Sequence, residues 1–578
     1  MTHRIEHRAA PDPTIVQELG HLHPVLARVL AARGFRQRGE LAHGLEGLLA
    51  PGLLLGMDKA VELLVSMIRD QGKILIVGDF DADGATSSAL AVRALKIMGA
   101  KHVDYIVPNR FEFGYGLTPE IVEYGIRLKG RPDLIITVDN GIASCEGVAA
   151  ARAHGVPVLV TDHHLPGDQL PEAAAIVNPN QAGDAFPSKG LAGVGVIFYV
   201  MCALRSRLRD EGWFQATGRS APNMAAYLDL VALGTVADLV PLDHNNRILV
   251  AQGIARIREG RCCPGIDALF RVAQRDRTRL VSSDLGFVAG PRLNAAGRIE
   301  DMSLGIECLL SDDPAQAIAM AENLDKINKE RREIEQDMQV QAERILSQMA
   351  DAQSTQAPGL ALFHPEWHQG VIGIVAARVK ERTHRPVIAF APSGVNGEIK
   401  GSARSIPGLH IRDTLDLISS RHPGLILRFG GHAMAAGLTL REEDFERFQA
   451  AFAETVGASV SDDDLKGVIV SDGPLAAHDL TLSLADALRT AVPWGQALPE
   501  PLFDGEYVIL ERRVVGQKHL KLRVQHSEGS APLDAIAFNT DIEDCPSPGA
   551  SAQLAFHLDV NFFRGRENLQ LRVAQIGH

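Results

Sequence analysis

The chain has 578 residues, 46% hydrophobic and 22% charged, with a formal net charge of −13 at pH 7. That length exceeds what one core supports, and at roughly 150 residues per domain three or four domains are expected. The composition excludes a low-complexity chain, and the charge excludes a protein that coats nucleic acid by overall basicity, though not one with a local basic groove.

The first 50 or so residues read as helical, and the opening MTHRIEHRAAPDP lacks the apolar segment of a signal peptide. From Lys73 the pattern sharpens. Ile74–Val77 is a short apolar run ending in GDFDADG, and a helical stretch follows from Thr86 to Gly99. Leu134–Val138 ends in DNG, Val156–Val160 in TDHH, and Ala175–Val177 in Asn178-Pro179. Apolar strands alternating with helices predict a parallel sheet covered on both faces. The stretches from Gly195 to Leu204 and from Met224 to Asp238 extend that domain as helices. The longest apolar run, Leu191 to Leu204, falls short of the ~20 residues that cross a bilayer, so no membrane role is expected.

Around Asp313 to Met349 the chain carries many Glu, Lys, Arg and Gln and no Gly or Pro within AENLDKINKERREIEQDMQVQAERIL. Leu324, Ile327, Ile334, Met338 and Ile345 recur at helical spacing, which predicts a long, largely solvated helix joining two bodies. Residues 358 to 443 form a second α/β unit, with runs Gly359–Phe363 and Pro386–Phe390 and the Gly-rich FGGHAMAAG. Beyond about residue 466 come short strands: Gly467–Val470, Tyr507–Val515, Leu520–Gln525, Leu533–Phe538, Ala552–Leu558 and Leu569–Ile576. Their spacing suits a small closed barrel. The six cysteines (145, 202, 262, 263, 308 and 545) form no CxxC pair and fit neither a zinc site nor a disulfide framework, as expected of a reduced, cytoplasmic chain.

The three best strands all end in acids: Asp79, Asp81 and Asp83, then Asp139, then Asp162 beside His163 and His164. Parallel sheets align the carboxyl ends of their strands along one edge, where ligands bind. Carboxylates gathered there repel and take up protons unless cations intervene, and hard oxygen donors suit Mg²⁺ or Mn²⁺. Two such ions about 4 Å apart would activate a shared water against a phosphoryl centre. A single Asp at a strand-to-helix junction is more often a cap. Three loaded strand ends together reverse that weighting.

GDFDADG, VDNG, TDHH and LDLVALGTVADLVPL, in this order, resemble motifs I to IV of the DHH phosphoesterase superfamily, over Lys73 to Pro241. GPRLNAAGR (290–298), KGSARS (400–405) and FGGHAMAAG (429–437) resemble the continuation and DHHA1 domain of its single-strand exonuclease branch. The resemblance implies an α/β architecture: a parallel-sheet DHH domain, a long connecting helix, a smaller α/β DHHA1 domain, and a C-terminal all-β OB-like barrel. The expected divisions are 1–50 (N-terminal helical), 51–312 (catalytic), 313–352 (connecting helix), 353–455 (DHHA1) and 456–578 (OB-fold).

Carried over by position, the resemblance implies Asp81, Asp83, Asp139, His163 and Asp229 as metal ligands, with Asp139 bridging. Asp162 orients His163, and His164 faces the scissile phosphate. Many members have a histidine four residues before the first Asp of the DxD pair. Here that position is Val77, and Asp79 is expected to substitute as a ligand. Asp238 is left to helix packing or an outer shell. On the substrate side, Arg292, Asn294 and Arg298 are expected near the backbone by the metals, while Ser402, Arg404 and His432 hold the 5′-terminal phosphate. In the barrel, Arg512, Arg513, Lys518, Lys521 and Arg523 are candidates for strand binding, with Tyr507, Phe538, Phe562 and Phe563 as sparse stacking candidates.

The activity implied is 5′→3′ hydrolysis of single-stranded DNA to 5′ mononucleotides with Mn²⁺ or Mg²⁺, by a monomer that serves DNA recombination and repair. A single-strand-binding protein and a RecQ-type helicase are the implied partners. A small-molecule DHH phosphodiesterase would share the metal edge but needs no barrel. A haloacid-dehalogenase-like phosphatase could use DADGAT but leaves DHH unexplained. A scaffold that has lost its ligands is at odds with the acids at 81, 83, 139 and 229.

Overall fold

Five parallel strands set the site. The computed structural model describes residues 4–108, 116–351, 357–461, 463–516, 519–563 and 565–577. In chain order the first strands are β1 (Arg4–His7), β2 (Ile74–Gly78), β3 (Val103–Ile106), β4 (Leu134–Val138), β5 (Val158–Thr161) and β6 (Ala175–Val177). Strands β2 to β6 pair in the order β3-β2-β4-β5-β6, all parallel. β2 and β4 are buried at every position, as continuous apolar runs must be when helices cover both faces. Ile74, Ile76, Leu134 and Ile136 point into the main core. Leu75, Val77, Ile135, Val158 and Val160 point into a second, smaller one. β3 was not expected: it has only four residues, and Asp104 and Tyr105 on this edge strand are half-buried, which erases the apolar signature.

The connecting helix runs Pro314–Asp351, 38 residues or about 57 Å. Leu324 packs in the core of the first body, and Met338 and Ala342 in that of the second. The second body holds β7 (Leu360–Phe363), β8 (Val387–Pro392), β9 (Glu398–Arg404), β10 (Arg428–Gly431) and β11 (Ala435–Arg441), in the order β10-β11-β9-β8-β7. Only β7 and β8 are parallel; the rest of this sheet is antiparallel.

β12 (Val468–Ser471) does not enter the barrel as expected. It pairs in parallel with β1. Arg33 grips Asp472 through both guanidinium nitrogens, at 2.6 and 2.8 Å, and fastens the N-terminal region to the approach of the barrel. The barrel itself closes from β13 (Phe503–Val515), β14 (His519–His526), β15 (Leu533–Ala537), β16 (Ser551–Phe563) and β17 (Arg566–Gly577), in the order β13-β14-β15-β17-β16. All six cysteines are free thiols. Among the described residues no helix is long and apolar enough to cross a membrane.

Candidate metal centre and adjoining basic cavity

The register of the parallel sheet delivers the acids to one place. Gly78 pairs with Val138, and Val138 with Thr161, so Asp79, Asp139 and Asp162 each leave the sheet at the same level. Asp81 caps the helix Ala82–Met98, its Oδ1 accepting from the amides of Asp83 (2.9 Å) and Gly84 (3.0 Å). Both Asp83 oxygens accept amides from the start of helix Gly193–Asp210, Gly193 at 2.7 Å and Val194 at 2.9 Å. Asp139 is held at φ 63°, in left-handed backbone that costs a side-chain-bearing residue on the order of 1–3 kcal/mol. Gly193 is what lets the helix approach it: a Cβ there would lie 2.6 Å from that of Asp139.

His163 Nε2 lies 3.1 Å from Asp139 Oδ1 and 3.4 Å from Asp238 Oδ2. Its carbonyl accepts from Asn180 Nδ2. Ligand atoms of Asp79, Asp81 and Asp139 all lie within 4.8 Å of one another, as do those of Asp83, His163 and Asp238, and those of Asp139, His163 and His164. Asp139 and His163 each belong to two of these sets, and Asp139 is the shared carboxylate.

The electrostatics of the cluster are unfavourable without cations. Burial, then the charges of Asp83, Asp81, Asp238 and Asp79, holds the Asp139 carboxyl well above the usual range. Asp238 is raised in the same way, by burial and then by Asp83, Asp81 and Asp79. Asp83 is pushed up to about 7 by burial and Asp81, against the amides of Val194 and Gly193. Buried carboxylates that disfavour one another's charge, with one imidazole among them, form a donor set that fits hard divalent cations such as Mg²⁺ or Mn²⁺.

Three expectations need correcting here. Asp229 does not join the cluster. It sits in the first turn of helix Leu228–Ala237, where its carboxylate accepts the Cys263 amide at 2.7 Å among the charges of Arg256 and Arg93. Asp238, the C-cap of the same helix, is the acid that reaches the site. Asp162 orients His164 instead of the His163 ring: Asp162 Oδ1 lies 2.8 Å from His164 Nδ1, and Oδ2 accepts the Ile142 amide at 2.9 Å. Burial pulls the His164 pKa down, but the hydrogen bond and charge of Asp162, with Asp79 and Asp81, raise it to about 9. Arg292 faces away from the edge. It is buried in an ion pair with Asp325 (2.7 Å) and donates to the Val288 carbonyl (2.6 Å).

Asn294 and Arg298 lie four residues apart on helix Gly290–Ile299, so they share a face. Asn294 accepts the amide of Ala82, beside Asp81, at 2.7 Å. One turn on, Arg298 donates to the Gly370 carbonyl and lines a cavity of about 390 Å³ in the second body. Alternation along β9 puts Lys400, Ser402 and Arg404 on one face and buries Ile399, Gly401 and Ala403 on the other. All three polar side chains line the cavity, together with Arg428 and Phe429. Arg404 donates to Ser402 Oγ at 3.1 Å, and burial lowers its pKa. Helix Ile372–Thr383 begins against this cavity. A Cβ on Gly373 would lie 2.8 Å from the Arg404 guanidinium, so glycine brings the amide end of that helix close. His432, by contrast, is exposed at the β10–β11 hairpin and does not line the cavity. Lys400 and Arg428 were missed; the period-two pattern of EIKGSAR was the available signal for Lys400.

On the barrel, Arg513 and Arg523 are exposed, and Lys521, across from Arg513, pairs with Asp534 at 3.0 Å. Arg512 is spent on the carbonyls of Ile542 and Cys545. Tyr507 is core, and the Phe562 ring lies under Arg279. Lys518 and the side chain of Phe563 lie outside the described residues.

Family models match three stretches: the N-terminal domain of the DHH family over residues 73–235, the DHHA1 domain over 356–458 and the RecJ OB domain over 471–575. The chain is similar to the single-stranded-DNA-specific exonuclease RecJ of Dickeya dadantii, with 55% identity over 98% of each chain. It is also similar to that of Escherichia coli, with 54% identity over 96% of each. Its fold is similar to the crystal structure of RecJ from Thermus thermophilus in complex with Mn²⁺, with TM-score 0.81 and 30% identity, covering 100% of this chain and 79% of that one. A Mg²⁺ complex of the Thermus protein matches with TM-score 0.76 and 28% identity, covering 100% of this chain and 78% of that one.

Proposed function

The chain belongs to the RecJ family of single-stranded-DNA-specific exonucleases, and from that membership we propose that it degrades single-stranded DNA from the 5′ end to 5′ mononucleotides, using Mn²⁺ or Mg²⁺ at the sheet edge. The observation that carries this reading is the helix Gly290–Ile299. One turn of it ties the acid cluster, through Asn294, to the basic cavity, through Arg298. A cation centre one helical turn from an anion cradle suits a terminal phosphate held at a set distance from the bond to be cut.

We assign Asp79, Asp81, Asp83, Asp139, His163 and Asp238 as the residues that hold two ions. When bound, the ions lower the pKa of a shared water and neutralise charge at the phosphoryl centre. His164, hydrogen-bonded through Nδ1 to Asp162, offers a proton toward the scissile phosphate. Arg404, Ser402, Lys400 and Arg298 bind the terminal phosphate, with bidentate capacity in the arginines. Arg513 and Arg523 on the barrel hold the strand beyond the cleft without reading sequence. The enzyme is placed in the cytoplasm, acting as a monomer in recombination and repair, with a single-strand-binding protein and a RecQ-type helicase as partners.

The test uses 5′- and 3′-labelled oligonucleotides, single-stranded and duplex, with Mn²⁺ or EDTA. Single strands are expected to lose 5′ mononucleotides first and only with the metal. Equal digestion of duplex, or activity in EDTA, contradicts the reading. Arg404→Ala is expected to raise KM for a 5′-phosphorylated strand by about tenfold or more, as loss of a charge-assisted phosphate contact of about 1.5–3 kcal/mol requires. An unchanged KM removes Arg404 from its role.

A further inference from the structure

The basic cavity extends past the place of one phosphate, and the polar side chains on its sheet wall fall into two groups. Arg404 and Ser402 form the first. They hydrogen-bond to each other, and both crowd Gly373 at the start of helix Ile372–Thr383, where an added Cβ would lie 2.8 and 2.9 Å from them. The second group lies farther along the sheet. Lys400 on β9 pairs with Thr439 on β11, and Thr439 pairs with Arg428 on β10. Residues directly opposed in antiparallel strands point to one face, so these three make a row across three strands. All three line the cavity. The row stands two residues beyond Ser402, about 7 Å along β9.

Between the two groups the floor is bare. Gly437 lies opposite Ser402 on one side and Gly430 on the other. A Cβ on Gly430 would meet nothing within 4 Å, and one on Gly437 would meet only the Gly401 carbonyl, at 4.0 Å. An extended group can therefore lie flat on the sheet from the first group to the second. The charge of the outer row is also poorly matched within the chain: Arg428 reaches Glu398 only at 4.0 Å, and Glu398 does not line the cavity.

A strand that ends in a monophosphate has nothing to offer this row, because the strand leaves the first group by way of Arg298 and Asn294 toward the metals. What lies beyond the terminal phosphate must be an extension of the 5′ end itself. One more nucleotide would bring a single negative charge, with a sugar and a base to seat on bare backbone. Two more phosphates bring greater charge and neither sugar nor base, which suits two cations and a hydroxyl over a glycine floor.

We propose that Lys400, Thr439 and Arg428 form a second anion subsite, which takes the β- and γ-phosphates of a single strand ending in a 5′-triphosphate. Lys400 stands between the two phosphate positions, and the proposal rests on the 5′-exonuclease reading above. The bond cut is unchanged. Water adds to the phosphorus between the first and second nucleotides, the bond from that phosphorus to the 3′ oxygen breaks, and that oxygen leaves with a proton. The first residue departs as a deoxynucleoside triphosphate, and the shortened strand begins with an ordinary 5′-monophosphate.

The test follows the first cut on two single strands that differ only in a 5′-monophosphate or a 5′-triphosphate, with Mn²⁺ present and the released nucleotide identified by chromatography. Wild type is expected to cut both, and to free a deoxynucleoside triphosphate from the second. Arg428→Ala is expected to raise KM for the triphosphate strand about tenfold, with kcat and the monophosphate KM changed less than about twofold. Thr439→Val removes only a hydroxyl and is expected to raise the same KM about threefold, so the subsite stays testable if the first variant misfolds. The proposal is overturned if wild type leaves the triphosphate strand intact, or frees pyrophosphate and a monophosphate from it. It is also overturned if the folded variants raise KM for both strands alike or for neither. If wild type cuts neither strand, the exonuclease reading falls as well; if it cuts the monophosphate strand alone, only the second subsite falls.

Discussion

Asp139→Asn is expected to lower the rate of single-strand cleavage by at least about a thousandfold while binding of the same strand, measured in EDTA, changes less than about threefold. Partners one shell out from a metal are worth about 10–100-fold, and a shared ligand stands above them. Asp139 is the carboxylate common to two ligand sets and lies 3.1 Å from Nε2 of His163, the imidazole that is likewise common to two. In the proposed reading the strand is held elsewhere, by the cavity that Arg298, Ser402 and Arg404 line and by the exposed arginines of the barrel. Removing a buried carboxyl whose charge is opposed by Asp83, Asp81 and Asp238 is also expected to leave the metal-free fold as stable as before, or more so. A variant that retains a tenth of the activity, or loses strand binding in parallel, contradicts the assignment.

The second large effect separates two acids of one helix. Asp238→Ala is expected to cut kcat by at least about a hundredfold with no loss of thermal stability, because its charge is opposed by Asp83, Asp81 and Asp79. Asp229→Ala is expected to do the reverse. It strands the buried amide of Cys263, which costs about 1–3 kcal/mol, and leaves the kcat of the folded fraction within a few-fold. Denaturant unfolding and single-turnover cleavage on both variants decide the matter. Exchanged phenotypes would place the fourth motif's ligand at Asp229.

That contrast also marks how far the sequence could be read. Asp81, Asp83 and Asp139 were legible because they closely follow continuous apolar strands, and parallel strands leave no choice about which edge their carboxyl ends share. Asp229 and Asp238 both belong to the run LDLVALGTVADL, which is buried nearly all round and has no polar face to orient it. They stand nine residues apart, about 13 Å along the axis, and only tertiary packing says which end abuts the sheet. Arg292 and Arg298 pose the same problem by angle. Six residues turn a helix by about 240° from face to face, so one arginine meets the cavity and the other meets Asp325.

In the second body, the apolar runs of β7 and β8 were visible, but the short β10 and the half-exposed β9 were not separable from turns. In the barrel, five of the six expected strands hold their places; Val468–Ser471 reads identically to them yet pairs with β1, a contact 464 residues away in the chain. Asp162 was read as the partner of His163 because ligating imidazoles usually need an orienting carboxylate, whereas in this loop its Oδ1 lies 2.8 Å from Nδ1 of the next ring, His164.

The most direct test of the account is anomalous diffraction at the manganese edge from crystals of the full chain soaked in Mn²⁺. Two peaks about 4 Å apart at the carboxyl edge of the sheet are expected, both touching Asp139, with Asp79 and Asp81 on one side and Asp83, His163 and Asp238 on the other. Manganese bound at Asp229, or no peak at this edge, contradicts it.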